Sequence, residues 1–213
     1  SIKEMLLSND SKHYSTAIEV ESRRNINSPT SVVFVNKNEW LISGHLDGQL
    51  RVRHISREDI TEYVVRAGIG ISSITADTSE NYLVVCTGTQ YDREENTARI
   101  HLFQLSDMKE LFSAAVGKIG FGGGPGNIAC FGGLYNDIIA VGGTPIMIFK
   151  KKGKWLLEKV VENRYGVITG IKWSQFLGCF IFSFASSNNN GFGFLKEEND
   201  EFDYIIIGSV TID

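Results

Sequence analysis

The stretch that decides the fold is Leu41–Ile55, LISGHLDGQLRVRHI. It reads as two extended runs joined by a tight turn at Asp47-Gly48. Glycine accepts a positive φ there, and aspartate can hydrogen-bond its own backbone. In the second run Leu50, Val52 and His54 point one way, while Arg51, Arg53 and Ile55 point the other. One face is suited to packing and the other is more polar, which describes half of a hairpin built into a larger sheet.

Outward from this hairpin, SVVFV precedes it and EYVVRAG follows it, so Ser31–Gly70 forms a unit of four strands. The grouping recurs as SSITAD, NYLVVCTG, ARIHLFQL and a weaker segment around KELFSAAVG. It recurs again as NIACFGG, NDIIAVGG, PIMIFKK and WLLEKVV, and then as VITGIKW, GCFIFSFA, GFGFLKE and DYIIIGS. Insertions at TQYDREENT and KIGFGGGPG lengthen one interval in a repeat of roughly 40 residues, the spacing of a propeller blade. The second strands, such as Tyr82–Cys86 and Ile138–Val141, are apolar at every position. A sheet stacked on both faces needs that. Ser106–Gly117, SDMKELFSAAVG, fits helical or extended spacing, and either reading stays open.

The pattern resembles the WD40-like β-propeller family. Leu41–Ile55 is similar to the family's second strand, Asp-containing turn and third strand, with Arg53-His54 where the Trp-Asp pair would stand. Ile171–Ser174 is similar to a first strand, and Ala140–Gly143 to the small-residue end of a second strand. No unit carries both the Gly-His and Trp-Asp dipeptides. The resemblance implies an all-β, single-domain propeller over residues 1–213, with four full four-stranded antiparallel blades plus a composite or incomplete one. It also implies a structural role for the turn residues His45, Asp47 and Gly48. Glu4–Ser8 and Thr16–Glu21 look like a second and a third strand, and Gly208–Asp213 like a first. Joined, these would close a five-bladed ring. The alternative is a piece of a larger propeller, completed in cis or by a partner that covers the open edges.

The formal charge of −4 removes the usual electrostatic reason for broad nucleic-acid or anionic-membrane binding. No window approaches the roughly 18 apolar residues of a transmembrane helix. SIKEMLLSND lacks the basic start and long apolar run of a signal peptide. Cys86, Cys130 and Cys179 each sit in an apolar run, as expected of buried free thiols in a reducing compartment, cytoplasmic or nuclear.

Catalytic constellations are weak. His13, His45, His54 and His101 form no zinc-site spacing, so no metal or cofactor is expected. Gly120–Gly126, GFGGGPG, lacks the Lys-Ser/Thr and the helix of a phosphate loop. The first strands, which line a propeller's channel, offer Asp77 and little else for a glycosidase-like pair. No enzyme is expected, and a small five-bladed hydrolase is the outlying alternative.

Recognition remains. The loop TGTQYDREENT carries Tyr91 and Arg93, the glycine-rich connection carries Phe121, and SSNNNGFGF carries Phe192. These are candidate partner-binding residues. FKKKGKW places Lys150, Lys151, Lys152 and Lys154 beside Trp155 in an outer hairpin. That rim is a candidate site for RNA or a phosphoinositide headgroup. The leading expectation is a protein–protein interaction scaffold, a subunit of an intracellular multiprotein assembly.

Overall fold

The computed structural model describes residues 28–88, 97–118, 128–143, 145–162, 166–186, 189–198 and 201–211. The first sheet contains β1 (Pro29–Val35), β2 (Trp40–His45), β3 (Gln49–His54) and β4 (Ile60–Val64). The second contains β5 (Ile71–Ala76), β6 (Tyr82–Thr87), β7 (Thr97–Gln104) and β8 (Lys109–Lys118). The third contains β9 (Ile128–Gly132), β10 (Ile138–Gly142), β11 (Ile146–Lys152) and β12 (Lys154–Val161). The fourth contains β13 (Val167–Ser174), β14 (Cys179–Ala185), β15 (Asn189–Glu198) and β16 (Glu201–Thr211). Each sheet is an antiparallel meander in chain order, so each sequence unit is one blade.

The first strands lie side by side, β1 next to β5, β5 next to β9 and β9 next to β13. Small hydroxyl residues tie them laterally. Thr30 Oγ1 donates to Ile71 O at 2.6 Å, Ser31 Oγ accepts from Ile74 N at 3.1 Å, and Thr75 Oγ1 donates to Ala129 O at 3.0 Å. These bonds satisfy backbone groups that a strand facing a channel would otherwise leave without partners.

Between the blades lie apolar layers, and the period of two explains them. In β6, Leu83 and Val85 pack toward blade one, with Ile42, Leu50 and Ile71, while Val84 and Cys86 pack toward blade three. In β10, Ile139 and Val141 face blade two, whereas Ile138 and Ala140 join Phe180, Phe182 and Phe184 of blade four. A strand buried on both sides is apolar throughout for this reason. Gly142 permits one of the close approaches between blades. A Cβ there would stand 2.6 Å from Ile168 Cγ2, across the interface between blades three and four.

Two readings are resolved or corrected. The ambiguous Ser106–Gly117 segment is a turn followed by β8, so the extended spacing prevails. Gly208–Thr211, expected to open a new blade, instead continues β16, where Gly208 pairs with Phe192 and Thr211 with Asn189. Extended propensity made the segment a strand, but propensity does not choose the neighbour. The strands expected at Glu4–Ser8 and Thr16–Glu21 lie outside the described residues.

Candidate interaction surfaces

Asp47-Gly48 forms the expected turn, with Asp47 Oδ1 accepting from Gln49 N at 3.0 Å and Gly48 at φ 81°. His45 and Asp47 are joined through Arg51, from the polar face of β3. Arg51 Nη1 donates to His45 Nδ1 at 2.7 Å and Nη2 donates to Asp47 Oδ2 at 2.8 Å, while Nε donates to Glu62 Oε1 at 2.9 Å. His45 Nδ1 is thus an acceptor, which puts the ring proton on Nε2, 2.8 Å from Ser43 Oγ. The network ties β2, the turn, β3 and β4 together. Its signal in the sequence was the pairing of Arg51 with Glu62, visible only once the register is known.

Blade two carries the counterpart at the same depth. His101 contacts Thr87 Oγ1 through Nε2 at 3.2 Å and Glu110 Oε1 through Nδ1 at 2.9 Å. There His101 and Thr87 are buried against blade one while Glu110 stays exposed, with the charges of Arg66 and Arg99 close by. Burial holds the imidazole below its ordinary 6.5, against the pull of Glu110. The folded state therefore favours neutral His101. Its stabilisation is complete above the unfolded value and is lost as pH falls below it. On lowering the pH from about 7 to about 5, the melting temperature of the native chain should fall further than that of a His101→Gln variant. Equal falls measured by scanning fluorimetry would rule the histidine out as the cause. His54, by contrast, stacks edge-on against Trp40 at 5.1 Å and belongs to the end of β3.

The lysine run is engaged with its own chain. Lys150 pairs with Glu197 of blade four and lies over the Phe202 ring. Lys151 Nζ donates to Tyr82 Oη of blade two at 2.9 Å, and Lys152 pairs with Glu158 at 2.8 Å. Lys154 is exposed. Trp155 is only 7% exposed, its ring against Phe131 in the layer between blades two and three. It is core rather than an aromatic beside a headgroup site, because on β12 it points inward between Lys154 and Leu156. Much of the rim's charge thus bridges blades.

Asp77 is likewise committed. It is buried, and Oδ1 accepts from Asn81 N and Tyr82 N, both at 2.7 Å, fastening the turn from β5 to β6. Among the described residues, no group of His, Cys, Asp and Glu could hold a metal ion. The cysteines are free and buried, and burial pushes the Cys86 thiol up to about 12, so it stays protonated and inert. No helix among the described residues is long and apolar enough to cross a membrane.

Tyr91, Arg93 and Phe121 lie outside the described residues. Phe192 lies on β15, not in a loop, and is 46% exposed on the face of blade four turned away from blade three. On the same face the register aligns Ile181, Phe194 and Ile205. Ile205 is 61% and Ile207 50% exposed. At the other end of the arc, the outer face of blade one exposes Val32 and Phe34 beside the Arg51 network.

No protein-family model matches the chain, and no curated protein matches it in sequence. Solved structures do. The chain superposes on the β-propeller domain of Cps50 (Swd1) from Myceliophteria thermophila with TM-score 0.56 and 13% identity, covering 76% of this chain and 51% of that one. It superposes on a chain of the mitotic checkpoint complex with TM-score 0.58 and 9% identity, covering 77% and 47%. For the RRP9 WD40 repeats the TM-score is 0.63 at 9% identity, covering 89% and 55%. The chain has the fold of these propellers and spans about half the length of the chains it matches.

Proposed function

We propose that the chain is a non-catalytic WD40-type interaction module, a subunit or scaffold of an intracellular multiprotein assembly. On this reading residues 1–213 are one propeller domain, and further blades or a partner protein cover its two end faces. The observation that carries it is the outer face of blade four, where Phe192, Ile205 and Ile207 stand open to solvent. Each inner layer of the arc buries residues of this kind between two sheets. The exposed face has the composition of an interface that lacks its second half. At the opposite end, the Arg51 network occupies the position that blade two fills with the buried His101.

The similar solved structures support this reading, since they are about twice as long and one belongs to the mitotic checkpoint complex. The commitment of Asp77 to backbone amides favours a binding role over a glycosidase-like one. The free, buried cysteines suit the cytoplasm or nucleus.

The test is native purification from source cells, with intact mass and crosslinking mass spectrometry. Crosslinks from a stoichiometric partner, or from further blades of a longer chain, are expected on β1, β4 and β16. The double variant Ile205→Lys, Ile207→Lys should keep its circular dichroism and weaken a trans partner at least about tenfold. A stable 213-residue monomer with both end faces free of crosslinks would sink the proposal.

A further inference from the structure

We infer that the cleft between blades one and two is a second binding site, separate from the end faces, that takes an arginine side chain from a partner segment. The cleft holds about 640 Å³, within the range of built ligand sites. Its wall is apolar and aromatic, with Trp40, Tyr63, Val52 and Met108 lining it. Val35 and Ile42, at the bottom, belong to the buried layer between the two blades. The lining is therefore anchored to the core and does not have to form on binding.

The polar rim determines the ligand chemistry. Among the described residues that line the cleft, the charged groups are the carboxylates of Glu80 and Asp107, and Lys151 meets it only through the Tyr82 side chain. Glu80 Oε2 accepts from Asn36 N at 2.6 Å, and Asp107 Oδ1 accepts from Lys109 N at 3.1 Å. In each case one carboxylate oxygen is held by backbone and the other has no described partner. Two rim amides each direct one N–H to a neighbour, Asn36 Nδ2 to Glu39 Oε2 at 2.8 Å and Gln104 Nε2 to Ser106 Oγ at 3.0 Å. Their carbonyl oxygens remain as acceptors. The cleft thus offers fixed acceptors and negative charge above an aromatic wall.

A guanidinium group matches that arrangement on each count. It is a planar cation with five donors in a fixed fork, it stacks on aromatic faces, and it is weakly hydrated for its charge. Its aliphatic stem suits Val52 and Met108. A lysine ammonium has the charge but neither the fork nor the plane.

The test uses acetyl-Gly-Arg-Gly-amide, with citrulline and lysine versions as comparisons, titrated into the 213-residue chain. The readout is the indole N–H signal of Trp40 in ¹H–¹⁵N spectra, assigned with Trp40→Phe. The arginine peptide should shift that signal saturably. The citrulline and lysine peptides, and the arginine peptide on the Glu80→Gln, Asp107→Asn variant, should each bind at least about tenfold more weakly. Both substitutions are nearly isosteric and sit at exposed positions, and the rest of the spectrum reports whether the variant is folded. Equal binding of the citrulline or lysine peptide, or unchanged affinity in the folded variant, would overturn the inference. So would an arginine titration that leaves Trp40 unmoved. None of these results depends on what covers the end faces, so the site can fail without the interaction-module reading failing.

Discussion

Ile139→Asp is expected to abolish folding of the blade arc. Ile139 is fully buried in the layer between blades two and three, beside Val84, Ile100, Leu102 and Phe149. Removing its side chain from that layer forfeits about 1.5–3 kcal/mol of apolar burial. Placing a carboxylate there adds the larger penalty of an unpaired buried charge, several kcal/mol even after the group takes up a proton. The combined cost is above roughly 5 kcal/mol, comparable to the whole stability of an ordinary domain. The position offers no relief, because both faces of β10 are buried in apolar layers and a one-residue slip of the strand would only carry the charge into the other layer. Ile139→Val, which removes one methylene, should cost only about 0.5–1.5 kcal/mol. Phe176→Asp, at a fully solvent-facing turn, should leave the protein within about 0.5 kcal/mol of its native stability. Soluble yield and thermal melting of the three variants check the ranking. A folded Ile139→Asp protein would mean that blades two and three do not pack as described.

The same side chains explain why so much of the fold is legible in the sequence. Strand alternation, turn chemistry and uniformly apolar second strands are local properties, set within each unit and repeated along the chain. The hairpin at Asp47-Gly48 and the four-strand grouping follow directly from them. What was not legible depends on which distant residue arrives alongside. Lys150–Lys154 reads as a solvated charge run until Glu197 and Tyr82, on the flanking blades, turn out to meet Lys150 and Lys151. In the sequence Trp155 reads as part of that rim because the charged residues hide its inward position in the β12 alternation. The sequence of Gly208–Thr211 shows an extended segment but not its neighbour, since a strand's partner is a property of the sheet. The role of Arg51 is not legible in the sequence because its three bonds converge only when β2, β3 and β4 are in register. The cleft between blades one and two is assembled from turns far apart in the chain, and no motif announces it.

Gly48→Ala should be far more damaging than Gly68→Ala at a similar backbone angle, for a reason separate from that angle. Gly48 has φ 81°, which costs an L-residue about 1–2 kcal/mol. Gly68, in the link between blades one and two, has nearly the same angle, φ 73°. A Cβ at Gly68 would meet nothing within 4 Å, whereas at Gly48 it would lie 1.8 Å from the carbonyl oxygen of Arg66 and 2.7 Å from that of Ile69. Those atoms are backbone, so relief requires the link itself to move. The link is held by bonds from Val65 N and Arg66 N to Gly48 O, at 3.0 and 3.2 Å, and from Gly68 N to Asp47 O at 3.0 Å. Moving it away breaks these bonds, at about 0.5–1.5 kcal/mol each, and disturbs the entry into β5. Gly48→Ala should therefore lose more than about 3 kcal/mol, and Gly68→Ala about 1–2 kcal/mol from the angle alone. Urea unfolding of the two variants separates strain from steric exclusion. Equal losses would leave the backbone angle as the whole cost, and the turn would then not grip the link between the blades.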